Sequence, residues 1–151
     1  MKLFIANRGE IARRIIRTAQ KLNWTTVAGY ADPDANAPFV LEASESIRIG
    51  PSALIDSYLS ADAILNAAKA TEATAIHPGY GFLSENADFA QQVKDAGLVW
   101  VGPSPALIAM MGSKIEARKI AETAGVPVIP GFSGSQPVSY THLTLPTNRE
   151  V

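Results

Sequence analysis

Short apolar segments alternate with longer segments of mixed polarity along the chain. Five apolar runs predict buried strands, at residues 2–6, 25–30, 46–49, 73–76 and 98–101. Between and after them, the pattern predicts helices at residues 10–22, 38–43, 61–71, 86–95, 105–111 and 114–124, and the start of a further strand at 126–129. The alternation predicts an α/β fold, a doubly wound, Rossmann-like parallel sheet of about five strands with helices on both faces.

The first predicted helix has the clearest amphipathic pattern. Its apolar stripe consists of Ile11, Ala12, Ile15, Ile16, Ala19 and Leu22, and its other face is charged or polar. Glu10 falls in the first turn, where the helix dipole favours an acid, and is spaced to pair with Arg14. We therefore expect this helix to pack one face on the sheet.

Ligands of open parallel sheets bind outside the carboxyl ends of the strands. In this chain four of those ends are Asn7-Arg8-Gly9, Ala31-Asp32-Pro33, residues 77–85 and Gly102-Pro103, and three of the four contain glycine. Glycine permits positive φ or a close approach of the backbone to a ligand. We therefore expect the binding residues to lie at this edge of the sheet.

The turn of residues 7–10 connects a strand to a helix and has two interpretations. It is an anion or nucleotide site at a helix N-terminus, or simply a tight turn. One glycine is not the dinucleotide-binding fingerprint, and no Walker pattern occurs in the sequence. Spacing alone favours the tight turn.

The segment 77–86, read as HPGYGFLSEN, is the most unusual in the chain. Two glycines on either side of Tyr80 indicate a close backbone approach to substrate, with the tyrosine as a flat surface. The structural alternative is a rigid turn in which Tyr80 and Phe82 fill the core, followed by a helix capped by Ser84 or Asn86. For His77, which has no evident partner, packing is favoured over acid–base chemistry.

Lys114 follows Gly112-Ser113 at the start of a predicted helix. Such a lysine reaches a phosphate as a point charge, or is a solvated lysine after an ordinary serine cap. One lysine is weak evidence, so the pattern alone favours the solvated lysine.

Composition narrows the class of protein. The net charge of −1 and the scattered Lys and Arg indicate no basic patch that could bind nucleic acid or an anionic membrane. Cysteine is absent, no His/Asp/Glu cluster has metal-ligand spacing, and no apolar run approaches the roughly 20 residues that span a bilayer. We expect a cytoplasmic protein without nucleic-acid or membrane partners.

Three ordered segments resemble the biotin carboxylase family. They are residues 5–12 (IANRGEIA), residues 77–86, and the set Val101-Gly102-Pro103, 111–114 (MGSK) and 124–128 (AGVPV). Together they cover residues 1 to about 135. The family includes the carboxylase parts of acetyl-CoA, propionyl-CoA, methylcrotonyl-CoA and pyruvate carboxylases.

The resemblance implies an ATP-grasp ligase that uses ATP and Mg²⁺ (or Mn²⁺) to activate bicarbonate as carboxyphosphate and carboxylates biotin on a carrier protein. Its implied partners are the biotin carboxyl carrier domain, a carboxyltransferase subunit and a second copy of the complete enzyme. Lys114 matches the family lysine that touches the ATP phosphates. The resemblance therefore implies a phosphate contact, in place of the solvated lysine that the pattern alone favours. Tyr80 and Gly81 match positions beside the biotin pocket. Arg17 matches a position near the dimer contact, although Lys21 stands where bacterial members often have an acid.

The resemblance also implies how the chain is divided. Residues 1–103 correspond to the N-terminal α/β (pre-ATP-grasp) domain, and 104–135 to a helical connection and the start of the ATP-grasp domain. Residues 136–151 match nothing in the family and are expected to be a non-native or disordered tail. Because the family's lid, metal-binding carboxylates and catalytic residues follow this point, we expect a truncated or chimeric fragment that is inactive alone. A non-catalytic binding or assembly module, and the equivalent domain of another ATP-grasp ligase, are the alternatives.

Overall fold

A computed structural model describes residues 1–129 of the chain. The chain divides into two compact units, Met1–Gly112 and Ser113–Val151. The predicted tail at 136–151 lies outside the described residues, and the predicted domain boundary at residue 103 stays a prediction.

The first unit is built on a five-stranded parallel sheet in the order β3-β2-β1-β4-β5. Its strands are β1 (Lys2–Ile5), β2 (Thr25–Ala31), β3 (Glu45–Gly50), β4 (Ala75–His77) and β5 (Val99–Trp100). β1 pairs with β2 on one side and with β4 on the other, all in parallel. The predicted doubly wound α/β fold is confirmed.

Five helices belong to this unit: α1 (Gly9–Lys21), α2 (Pro38–Glu42), α3 (Ala61–Ala70), α4 (Ala87–Asp95) and α5 (Pro105–Gly112). In the second unit, α6 spans Lys114–Thr123. Two short 3₁₀ turns, Asp32–Asp34 and Leu54–Asp56, were not predicted. The prediction that a further strand begins at 126–129 is wrong, because those residues have no regular structure.

The two sides of β1 show how the sheet is covered. Phe4 packs in a cluster with residues of α3 and α4, whereas Ile5 packs with Ala12 and Ile16 of α1. Successive side chains of a strand point to opposite faces, so each face has its own core. Both cores are fully buried at β1, as expected for a parallel sheet.

The apolar stripe of α1 is confirmed except at its end. Ala12, Ile16 and Ala19 are buried, but Leu22 is 53% exposed. The helix ends at Lys21, and Leu22 is already its C-cap, so the helical periodicity no longer directs the side chain to the sheet.

Within residues 1–129, no helix combines the length and the apolar character needed to cross a membrane.

Candidate functional site

The order of the strands reverses between β1 and β4, which are neighbours at the centre of the sheet. β1 continues into the turn of residues 6–9 and β4 into the loop of residues 78–82, which we call the glycine loop. Both leave the sheet at its carboxyl edge, because the two strands are parallel. Such a switch point is where open α/β sheets bind ligands.

Asn7 ties the two connections together. Its side chain is fully buried, and Nδ2 donates to the carbonyl oxygens of Pro78 at 2.7 Å and Tyr80 at 2.9 Å. Its Oδ1 accepts from the N–H of Arg8 at 2.9 Å. Both hydrogens of the Asn7 amide are therefore donated to the glycine loop. Asn7 thus fixes this loop to the turn that precedes α1.

The glycines of the loop meet two different requirements. Gly79 has φ +68°, and a Cβ there would lie 2.7 Å from Nδ2 of Asn7 and 2.8 Å from Cγ2 of Ile11. Gly81 has φ +72°, with nothing within 4 Å of its Cβ position. Gly79 thus permits a close approach between two loops, and Gly81 leaves open space above the backbone.

Tyr80 projects from the glycine loop and is 60% exposed. Its hydroxyl donates to Oε1 of Glu10 in the first turn of α1. This bond, partial burial and the negative charge of Glu10 raise the pKa of Tyr80, against the opposing effect of Arg14. The alternative in which Tyr80 fills the core is wrong.

The expected pairing of Glu10 with Arg14 is also absent from the ion pairs of the described residues. Tyr80 lies within reach of the carboxylate and supplies a hydrogen-bond donor instead.

Phe82 packs against the core, as expected if the loop is a rigid turn. It packs against the core on the α3 and α4 side, and its ring stacks on Tyr58 with centroids 5.2 Å apart and planes at 13°. Phe82 also has a positive φ of 45°. One aromatic of the loop therefore anchors it, and the other stays accessible.

A polar network beneath Phe82 was missed by the sequence analysis. The buried hydroxyl of Tyr58 donates to Oδ2 of Asp34 at 2.8 Å and accepts from the N–H of Ala31 at 3.2 Å. Oδ1 of Asp34 lies 3.1 Å from the guanidinium of Arg8, whose Cζ is 5.7 Å from the centre of the Tyr58 ring. Burial raises the pKa of Tyr58, so its hydroxyl stays protonated as a donor.

His77, at the end of β4, fits the packed histidine that we predicted. Its Nδ1 accepts from the N–H of Gly79 at 3.0 Å, and burial lowers its pKa. The neutral ring is the form that accepts at Nδ1.

A groove of about 340 Å³ runs beside α1 from the glycine loop. Its lining is mainly apolar and includes Leu3, Ile11, Ile15, Trp24, Arg14 and Tyr80.

Arg17 lies on the solvent side of α1, 61% exposed, with its guanidinium 3.7 Å from Oε1 of Glu42. The same carboxylate pairs with Arg13. Lys21 at the end of the helix is exposed. The dimer contact expected for Arg17 stays a prediction.

Lys114 lies in the second unit as the exposed first residue of α6. Ser113 caps the helix, its Oγ accepting from the N–H of Glu116 at 3.4 Å. Residues 1–129 contain no group of three or more His, Asp or Glu side chains placed to hold a metal ion.

Comparisons with known proteins agree with the geometry. The family described as biotin carboxylase, N-terminal domain, matches residues 1–108. Biotin carboxylase 2 of Bacillus subtilis is 55% identical over 134 residues, which are 89% of this chain and 30% of that protein. The biotin-dependent acyl-coenzyme A carboxylase alpha3 subunit of Mycobacterium leprae is 54% identical over 130 residues, 86% of this chain and 22% of the relative.

A solved structure shows the same fold with ligands. The biotin carboxylase domain dimer of Hydrogenobacter thermophilus 2-oxoglutarate carboxylase, in complex with MgADP, ADP and bicarbonate, matches with a TM-score of 0.83 and 43% identity. The match covers 88% of this chain and 29% of that one. This chain thus spans less than a third of the relatives that it matches.

Proposed function

The chain belongs to the biotin carboxylase N-terminal domain family, and from that premise we propose that it is the N-terminal part of a biotin carboxylase within an acyl-CoA carboxylase. The complete enzyme uses ATP and bicarbonate to carboxylate biotin on a carrier protein. The observation that carries this proposal is the glycine loop, which is clamped at the switch point of the sheet and presents Tyr80 at the carboxyl edge.

The reaction is a phosphoryl transfer followed by a carboxyl transfer, and ATP with Mg²⁺ or Mn²⁺ supplies the activation. The residues of this chain serve in binding. Tyr80 and Gly81 lie beside the biotin, where an exposed ring and an unobstructed glycine offer a flat, open surface. Lys114 contacts the ATP phosphates as a point charge, in keeping with its exposed ammonium group.

The proposed partners follow from the relatives. The Mycobacterium leprae relative is a subunit of a biotin-dependent acyl-coenzyme A carboxylase, and the Hydrogenobacter thermophilus domain is a dimer. We assign a biotin carboxyl carrier domain, a carboxyltransferase subunit and a second copy of the complete enzyme as partners. Arg17, exposed on α1, contacts that second copy.

We divide the chain as the resemblance implies, with the α/β domain over 1–103 and the connection to the ATP-grasp domain from 104. The family match over residues 1–108 favours a biotin enzyme over another ATP-grasp ligase. It also favours a role in an enzyme over a purely non-catalytic assembly module.

Because the chain spans 30% of Bacillus subtilis biotin carboxylase 2, we propose that these 151 residues do not turn over ATP by themselves. The test is a phosphate-release assay on the purified chain with ATP, Mg²⁺, bicarbonate and free biotin. Bacillus subtilis biotin carboxylase 2 serves as the positive control in the same buffer. No release above the blank is expected, and biotin-dependent release by the chain alone would contradict the proposal.

A further inference from the structure

Two residues on either side of the start of α1 hold Tyr80 at both ends. Nδ2 of Asn7 donates to the main-chain carbonyl of Tyr80 at 2.9 Å, and Oε1 of Glu10 accepts from its hydroxyl. Gly79 and Gly81, on either side, both have positive φ. The backbone of Tyr80 is thus fixed from the buried side, and its ring is directed across the first turn of α1.

Counting donors and acceptors shows what the hydroxyl can still do. A phenol has one hydrogen to donate and lone pairs that accept, whereas an ionised carboxylate only accepts. The single hydrogen of the Tyr80 hydroxyl therefore points to Glu10. What remains for a ligand is the accepting side of the oxygen.

We propose that Glu10 is a positioning residue, which fixes the direction of the Tyr80 hydroxyl so that Tyr80 meets its ligand as a hydrogen-bond acceptor. The matching ligand group is an N–H donor, such as that of a cyclic urea. This inference rests on the proposed function, in which Tyr80 lies beside the biotin.

The contact has little to do with the stability of the fold. Both side chains are exposed, and an exposed polar contact of this kind contributes little to the stability of the fold. A positioning role and a structural role therefore differ in what they predict. In a positioning role, removing Glu10 lowers the pKa of the Tyr80 phenol and leaves the free energy of unfolding almost unchanged.

The charged and titratable groups around Tyr80 are few among the described residues. Glu10 accepts its hydrogen, and the positive charge of Arg14 acts in the opposite direction. His77 lines the same groove, and burial lowers its pKa. The raised pKa of Tyr80 is therefore a specific reporter of its contact with Glu10, whose hydrogen bond is the largest cause.

The test is an NMR titration of the chain labelled with ¹³C at the ζ-carbon of its 4 tyrosines. Tyr80→Phe assigns the signal. The pKa of Tyr80 is expected to be highest in the parent chain, lower in Glu10→Gln, which loses the charge, and lowest in Glu10→Ala, which loses the acceptor as well. Glu85→Gln is the matched control, because it removes an exposed acid near the same loop and should leave the Tyr80 signal unchanged.

An unchanged Tyr80 pKa in both Glu10 variants would overturn the proposal. So would a large loss of unfolding free energy in Glu10→Gln, since that would show a structural role. The titration uses no biotin, ATP or carrier protein. Its failure therefore leaves the proposed function untouched, and a failure of the proposed function leaves the Glu10 contact standing.

Discussion

Gly79 and Gly81 share a left-handed backbone, with φ of +68° and +72°, but differ in what surrounds them. A side chain at Gly79 would meet Asn7 and Ile11, whereas a side chain at Gly81 would meet open space. The pair therefore separates the cost of the left-handed conformation from the cost of steric overlap.

We expect Gly79→Ala to destabilise the first unit more than Gly81→Ala does. Both variants incur the left-handed penalty of roughly 1–2 kcal/mol, and Gly79→Ala adds about 1–3 kcal/mol of overpacking against Asn7. Urea unfolding followed by the fluorescence of the 2 tryptophans, Trp24 and Trp100, measures the difference. Equal destabilisation would contradict the contact between Gly79 and Asn7.

At the scale of residues, the sequence predicted which positions are unusual but not their partners. Two glycines around Tyr80 indicated the loop, since few other residues adopt positive φ. The bonds that hold this loop join residues up to 73 positions apart in the chain. Neither the role of Asn7 nor the network of Arg8, Asp34 and Tyr58 has a local sequence signal.

Elements of secondary structure were predictable because each has one dominant local cause. The strands are short apolar runs, and Ser60 precedes α3 as an ordinary serine cap, its Oγ accepting from the N–H of Ala63 at 3.3 Å. The 3₁₀ turns around Asp32 and Leu54 were missed because they have no periodic pattern. The segment 126–129 shows that an apolar run alone does not make a strand.

The start of α4 gives a test at this scale. Oδ1 of Asn86 accepts from the N–H of Phe89 at 2.8 Å, which satisfies a donor that the helix leaves unpaired. Asn86→Ala should therefore cost about 1 kcal/mol of unfolding free energy. Asn86→Asp keeps the acceptor and complements the helix dipole, and it should stay within about 0.5 kcal/mol of the parent chain. The same loss in both variants would show that the cap is not what stabilises the helix end.

For the molecule as a whole, the alternation of strands and helices predicted the parallel sheet, and with it the edge at which open α/β sheets in general bind ligands. The order β3-β2-β1-β4-β5 then places the two motif-bearing connections side by side at the switch point. The chemistry of the reaction was not predictable from pattern or geometry. It came from the resemblance of three ordered segments to the biotin carboxylase family.

We have proposed that this chain serves as the N-terminal part of a biotin carboxylase. The most direct test of this claim is a chimera in which residues 1–129 replace the matching residues of Bacillus subtilis biotin carboxylase 2. We expect biotin-dependent ATP hydrolysis within about tenfold of the parent enzyme, a difference of roughly 1.4 kcal/mol in transition-state stabilisation. A chimera that folds with the parent's thermal stability but shows no biotin-dependent hydrolysis would contradict the claim.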